Sequence, residues 1–291
     1  MKLQYFSHRH ADKLLAACGL LQEIDAAFSG LPVPIYPGKS EAKQRSEKQV
    51  IVQPLLNTLI ELQLVALGWL AQPQVKAVEG AGKTRYYADF YKANHADLLT
   101  QYVGREGSQV KALMEVQFAN SARTDSDLKK FSIGFSQGRC DVGILVVPIK
   151  RMANHMSSNV ANFEYVVDGL LELGQLMAPV PILVIGLSEE DAPRIDLSQS
   201  LFTAAKQLTG ENSKQNRIIA ANAILTGIPV ELIGPDGAVP AGADFLQAGD
   251  DDSDQDLPVN VLEDVTGRLE YDDHAGRDCG GDEALSSRLS S

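Results

Sequence analysis

Ala112-Leu113-Met114-Glu115-Val116-Gln117-Phe118-Ala119-Asn120, followed by Val142-Gly143-Ile144-Leu145-Val146-Val147-Pro148-Ile149, decides the reading of the fold. Leu113, Met114, Val116 and Phe118 are β-prone and apolar, and strand side chains alternate between faces, so Glu115 and Gln117 point to the same side. A carboxylate among apolar neighbours is costly unless it has a partner, and a divalent cation is the partner that also does chemistry. The 142–149 run is apolar on both alternations, which predicts a strand covered on both faces at the centre of an α/β sheet. Between the two, Leu128, Phe131 and Phe135 recur at helical spacing and Gly138 ends the helix. An acid-bearing strand beside a fully buried one is therefore the expected centre of the molecule.

Downstream, Lys150–Asn159 is polar and basic and leaves the end of the buried strand, where ligand-contacting loops of open α/β sheets lie. Val160–Met177 reads as an amphipathic helix and Val180–Leu187 as a second buried strand. Gln199–Leu208 and Arg217–Leu225 are helical by pattern, with a short strand at Val230–Ile233. Upstream, Leu14, Cys18, Leu21, Ile24 and Phe28 predict one packing helix that stops at Gly30. Pro54 opens another that Gly68 closes, just before Trp69. Tyr86–Tyr91 is aromatic enough for a strand and carries a lone acid, Asp89. The fold class expected is α/β, a central mixed sheet flanked by helices.

The chain has 291 residues, 44% of them hydrophobic, enough for a sizeable core. Its formal charge of -12 is unevenly spread: from Asp250 onward 13 acids face three arginines, a net -10, leaving -2 for the rest. A nuclease-type domain over 1–245 and an acidic, disordered tail over 246–291 are expected. Cys18, Cys140 and Cys279 form no CxxC pair, which excludes a structural zinc site and suits a reducing compartment. Without a signal peptide or an apolar run of about 18 residues, a cytoplasmic protein with no membrane partner is expected.

Gly80-Ala-Gly-Lys-Thr84 has the look of a phosphate-binding loop, but that spacing needs glycine at 77, where the chain has Ala. Asp89, Glu115 and Gln117 fit metal-assisted phosphodiester hydrolysis better. Two carboxylates can hold Mg²⁺, which polarises a phosphoryl oxygen and acidifies bound water. Gln117 can orient water but carries no charge where many such sites use lysine. Lys39–Lys48 holds three lysines and one arginine against two glutamates, and within it Lys43 and Arg45 are candidate phosphate contacts.

Met114-Glu-Val-Gln-Phe-Ala-Asn120, Cys140-Asp-Val-Gly-Ile-Leu-Val-Val-Pro-Ile-Lys150 and Met156-Ser-Ser-Asn-Val160 resemble the BglII/BstYI group of type II restriction endonucleases, within the PD-(D/E)XK nucleases. His10-Ala11-Asp12, Gly68-Trp69 and Val180–Gly186 extend the resemblance over roughly residues 5–190. It implies a restriction-endonuclease-like core and a homodimer that wraps a short, six-base palindrome and cuts both strands with Mg²⁺. A cognate DNA methyltransferase is implied in the same system. Glu115 maps onto the metal-binding acid and Gln117 onto the usual lysine position, an E-x-Q variant. The first acid of the family lies in a D-F-x-K pattern about ten residues before the glutamate. Here Asp89-Phe-Tyr-Lys92 has that form but lies 26 residues before Glu115, which an insertion in the hairpin would explain; Glu106 and Asp97 compete. By position, loop 154–159 is the major-groove reading segment: Asn154, Ser157, Ser158 and Asn159 suit base edges, and Lys150 and Arg151 suit phosphates. His155 is not expected to act as a base.

Two rivals stand beside a restriction endonuclease: a DNA-binding protein of the same fold without cleavage, and a repair or modification-dependent nuclease. A Glu115 facing away from every other carboxylate, or locked against a lysine in a dry interior, would leave only a likeness of fold.

Overall fold

The computed structural model describes residues 1–37, 51–73, 87–95, 109–118, 121–156, 159–173, 180–210, 212–235 and 237–238. The strands are β1 (Lys2–His8), β2 (Val33–Ile35), β3 (Leu70–Ala71), β4 (Phe90–His95), β5 (Gln109–Val116), β6 (Val142–Pro148), β7 (Ile182–Ser188), β8 (Arg194–Asp196), β9 (Ile233–Gly234) and β10 (Gly237–Ala238). The helices are α1 (Ala11–Ala17), α2 (Leu20–Ser29), α3 (Gln53–Ala66), α4 (Thr124–Ser136), α5 (Lys150–Ala153), α6 (Phe163–Leu173), α7 (Lys206–Thr209) and α8 (Lys214–Leu225). All lie in one compact unit, Met1–Ala243. The acidic tail lies outside the described residues.

Six strands form a mixed sheet in the order β1-β7-β6-β5-β4-β3, with β5, β6 and β7 parallel and the outer pairs antiparallel. Every residue of β6 and β7 is buried, as their unbroken apolar runs require. Alternation sorts their side chains. Ala112, Met114, Val142, Ile144, Val146, Leu183, Ile185 and Leu187 join the larger core beneath α1, α2, α3 and α8. Leu113, Leu145, Val147, Ile182 and Val184 face the other way, onto Leu128 and Phe131 of α4 and Val166 and Leu170 of α6. Glu115 and Gln117 share this second side.

Two glycines set how closely helices approach it. A Cβ on Gly143 would lie 2.6 Å from the Phe131 ring, and one on Gly186 would lie 2.8 Å from the Phe163 ring. Each helix is seated by a phenylalanine lying over a strand glycine.

Several local expectations are corrected. Residues 2–8 form an edge strand, β1, whose half-polar sequence hid it. The first helix is two, broken at Cys18–Gly19, where Gly19 takes a φ of 76°. The aromatic strand begins at Phe90 and runs on to His95. Residues 150–153 form the short helix α5 rather than open loop. Residues 199–208 are a 3-10 turn at Leu197–Gln199 and one helical turn, α7, because Phe202 and Leu208 are buried individually and not as a stripe. Val230–Leu232 is a 3-10 turn, leaving only Ile233–Gly234 as strand.

Candidate active site

Antiparallel pairing of β4 with β5 sets Phe90 opposite Met114 and Tyr91 opposite Leu113. Asp89 lies one residue before the first of these pairs, and its carboxylate acts on that of Glu115; the 25 residues between the two hold β4, most of β5 and the segment that joins them. The chain bends at Asp89, whose carbonyl accepts from Gln72 N and whose Oδ2 accepts from Val116 N at 2.8 Å. Gln117 lies just past the end of β5, held by its N–H on the Val146 carbonyl at 2.8 Å.

Helix α4 adds two charged residues. Asp127 and Lys130, three apart, face the sheet together with Leu128 and Phe131. Gln117 Nε2 donates to Asp127 Oδ2 at 2.7 Å. Lys130 Nζ reaches Asp127 Oδ1 at 3.1 Å and Glu115 Oε2 at 2.9 Å. Glu115 Oε1 is buried and finds no hydrogen-bond partner.

These groups perturb one another strongly. Burial, then the carboxylate of Asp89, pushes the Glu115 pKa up to about 9, against the pull of Lys130. Burial likewise raises Asp89, against the bond from Val116 and the charge of Lys130. Partial burial opposes the Lys130 charge, but Glu115 and Asp127 outweigh it and raise its pKa. A further acid, Glu61 of α3, is raised by burial and feels Asp89 as well as Lys214 and Arg217.

Glu115 and Asp127 thus share the Lys130 ammonium, whose charge Asp89 also feels, so among the described residues three acids meet one lysine here. Among the described residues no three His, Cys, Asp or Glu side chains make a ready-built metal cage. A hard cation such as Mg²⁺ needs only one or two carboxylates, with water and phosphate completing its shell. Asp89 and Glu115, with the unpartnered Oε1, are the residues that fit it. Glu115 does meet a lysine, and the pair is buried on the Glu115 side, at 4% exposure, and reaches solvent only through Lys130, at 18%.

Other candidates are more dispersed. Lys150, Arg151, Asn154 and Asn159 are exposed beyond the end of β6. The backbone N–H of Lys150 donates to Glu164 Oε2 at 2.8 Å, and Asn159, at a φ of 63°, accepts from Ser121 N at 2.9 Å. His155 Nδ1 lies 3.0 Å from buried Glu189, which ties the segment to the end of β7. Lys43, Arg45, Asp97, Glu106, Ser157 and Ser158 lie outside the described residues. Lys92 of the D-F-x-K pattern contacts both Glu23 oxygens at 2.7 Å and the Leu67 carbonyl at 2.5 Å, and Trp69 Nε1 donates to Glu23 Oε1 at 2.7 Å. That lysine is a strut from β4 to α2 and α3. Asp127, Lys130 and Glu61 were missed; the only signal was a charged pair inside the apolar stripe of α4.

The model of the family described as restriction endonuclease BglII/BglIII matches residues 3–187. The chain belongs to that family. The match ends within β7, so the BglII-family region takes in the whole six-stranded sheet up to its second buried strand. The chain is also similar to the type II restriction enzyme BamHI of Bacillus amyloliquefaciens, at 27% identity over 188 residues, 62% of this chain and 80% of that one. Of solved structures, BglII complexed with a DNA 16-mer aligns at a TM-score of 0.49 with 18% identity, over 64% of this chain and 76% of that chain. Free BglII aligns at 0.42 with 19% identity, over 65% and 80%. Among the described residues no helix is long and apolar enough to cross a membrane.

Proposed function

We propose that the chain is a Mg²⁺-dependent type II endonuclease that acts as a cytoplasmic homodimer and hydrolyses both strands of double-stranded DNA at a short palindrome, with a methyltransferase protecting the same site. The observation that carries this is the convergence of Glu115 of β5 with Asp89, which lies one residue before β4 and is tied to β5 by the Val116 N–H, beside an unpartnered buried carboxylate oxygen. Family membership and the likeness to a type II restriction enzyme support it.

In this reading Asp89 and Glu115 hold the cation, and Gln117 helps order the site around them. Bound Mg²⁺ supplies charge to the phosphoryl oxygen and acidifies water. Asp89 is fixed by the Val116 N–H, so one of its oxygens is committed and the other can turn to a cation. Burial of Glu115 keeps bulk water from competing and makes it a strong ligand once its proton is displaced. Lys150 and Arg151 meet phosphates, and Asn154 and Asn159, with Ser157 and Ser158, meet base edges; Lys43 and Arg45 form a second phosphate contact.

Digestion of a supercoiled plasmid tests the proposal. Discrete fragments in Mg²⁺ and none in EDTA are expected. Intact plasmid despite DNA binding would favour the non-cleaving rival, and a smear would favour a nuclease of another kind.

A further inference from the structure

We propose that Lys130 is the positive charge of the cleavage site, supplied by α4 in place of a lysine on the acid strand; this rests on the nuclease reading above. Position 117 holds an amide, which orients water but cannot offset the negative charge that builds on phosphorus oxygens during displacement. That amide is moreover committed, donating to Asp127 at 2.7 Å. The other oxygen of Asp127 holds the Lys130 ammonium at 3.1 Å, and the ammonium reaches Glu115 at 2.9 Å. Amide, carboxylate, ammonium and carboxylate therefore form one continuous chain.

Three features separate this from a counter-ion that only neutralises Glu115. The ammonium has two carboxylate anchors, so Asp127 keeps it in place when Glu115 turns to a cation. Glu115 meets Lys130 through Oε2 and leaves Oε1 unpartnered, so cation and lysine need not compete for one atom. The Lys130 side chain is 18% exposed against 4% for Glu115 and 6% for Asp127, so among the three it is the one that approaching phosphate meets first. Asp127 is then a positioning residue, holding the amide with one oxygen and the ammonium with the other.

The test uses the full-length protein with K130M, K130R and the double variant K130M/Q117K, which returns the charge to the strand. Plasmid cleavage in Mg²⁺ is expected to slow about 100-fold in K130M, to stay within about tenfold of wild type in K130R, and to recover at least about tenfold over K130M in the double variant. A purely structural lysine would not be rescued from position 117. Calorimetric titration with Ca²⁺ supplies a readout independent of turnover: removing a positive charge beside Glu115 should tighten Ca²⁺ binding several-fold. K130M cleaving within about threefold of wild type, a double variant no faster than K130M, or unchanged Ca²⁺ affinity would each overturn the assignment. Should wild type itself fail to cut, the nuclease reading falls, and the Ca²⁺ titration alone decides whether Lys130 stands at a cation site.

Discussion

Glu115 carries most of the electrostatic cost at the level of single residues. Its carboxyl is held near a pKa of about 9 by burial and by Asp89, well above the ordinary carboxylate value of 4.5. The folded chain therefore binds this proton more tightly than the unfolded chain does. The resulting stabilisation is complete below about pH 4.5 and is lost progressively as the pH climbs toward 9. Melting temperatures in EDTA should accordingly fall between pH 6 and 9, and Glu115→Gln should flatten that fall; equal slopes for the two proteins would contradict the shift. Glu115 could be picked out from sequence because an acid interrupting a β-prone apolar run is conspicuous. Asp127 and Lys130 could not, because charged residues three apart on a helix ordinarily describe a solvated face. Only the packing of α4 on the sheet, with Phe131 over Gly143 of β6, reveals them as inward.

At the scale of elements, the site depends on how closely α4 lies on the sheet. Phe131 rests over Gly143, where a methyl group would intrude to 2.6 Å of the ring. Gly143→Ala should cost about 1–3 kcal/mol in chemical denaturation and lower cleavage as well, because Lys130 rides on the same helix. Adding Phe131→Leu should recover part of both, and a tolerated Gly143→Ala would show that α4 is not seated there. Lys92 should behave differently. It braces β4 against Glu23 and the Leu67 carbonyl, so Lys92→Met should cost about 2–3 kcal/mol of stability while the folded fraction retains its cleavage rate. A rate loss larger than the folded fraction explains would return Lys92 to the site. The buried strands β6 and β7 and the α3 region were readable from periodicity alone. The edge strand β1, half polar, and the break at Gly19, concealed by a continuous apolar pattern, were not. The 26-residue separation of Asp89 from Glu115 hides their proximity in the sequence, because it is the β4–β5 pairing and the Val116 N–H bond to Asp89 that bring the two acids near each other.

For the whole molecule, charge is divided: a net -10 falls from Asp250 onward and -2 on everything before it. A segment of that charge is expected to compete with DNA phosphates for basic side chains and so to weaken nonspecific association. Removing residues 249–291 should tighten nonspecific DNA binding roughly tenfold at low salt and steepen its salt dependence; unchanged affinity would reject the competition. Under the proposed function, Asp89 and Glu115 would together hold the cation needed for DNA cleavage. The most direct test compares wild type with Glu115→Ala, scoring plasmid cleavage in Mg²⁺ and DNA binding in Ca²⁺ on the same preparations. The variant is expected to lose cleavage at least about 1000-fold and still to bind DNA; cleavage at the wild-type rate would contradict cation binding by Glu115.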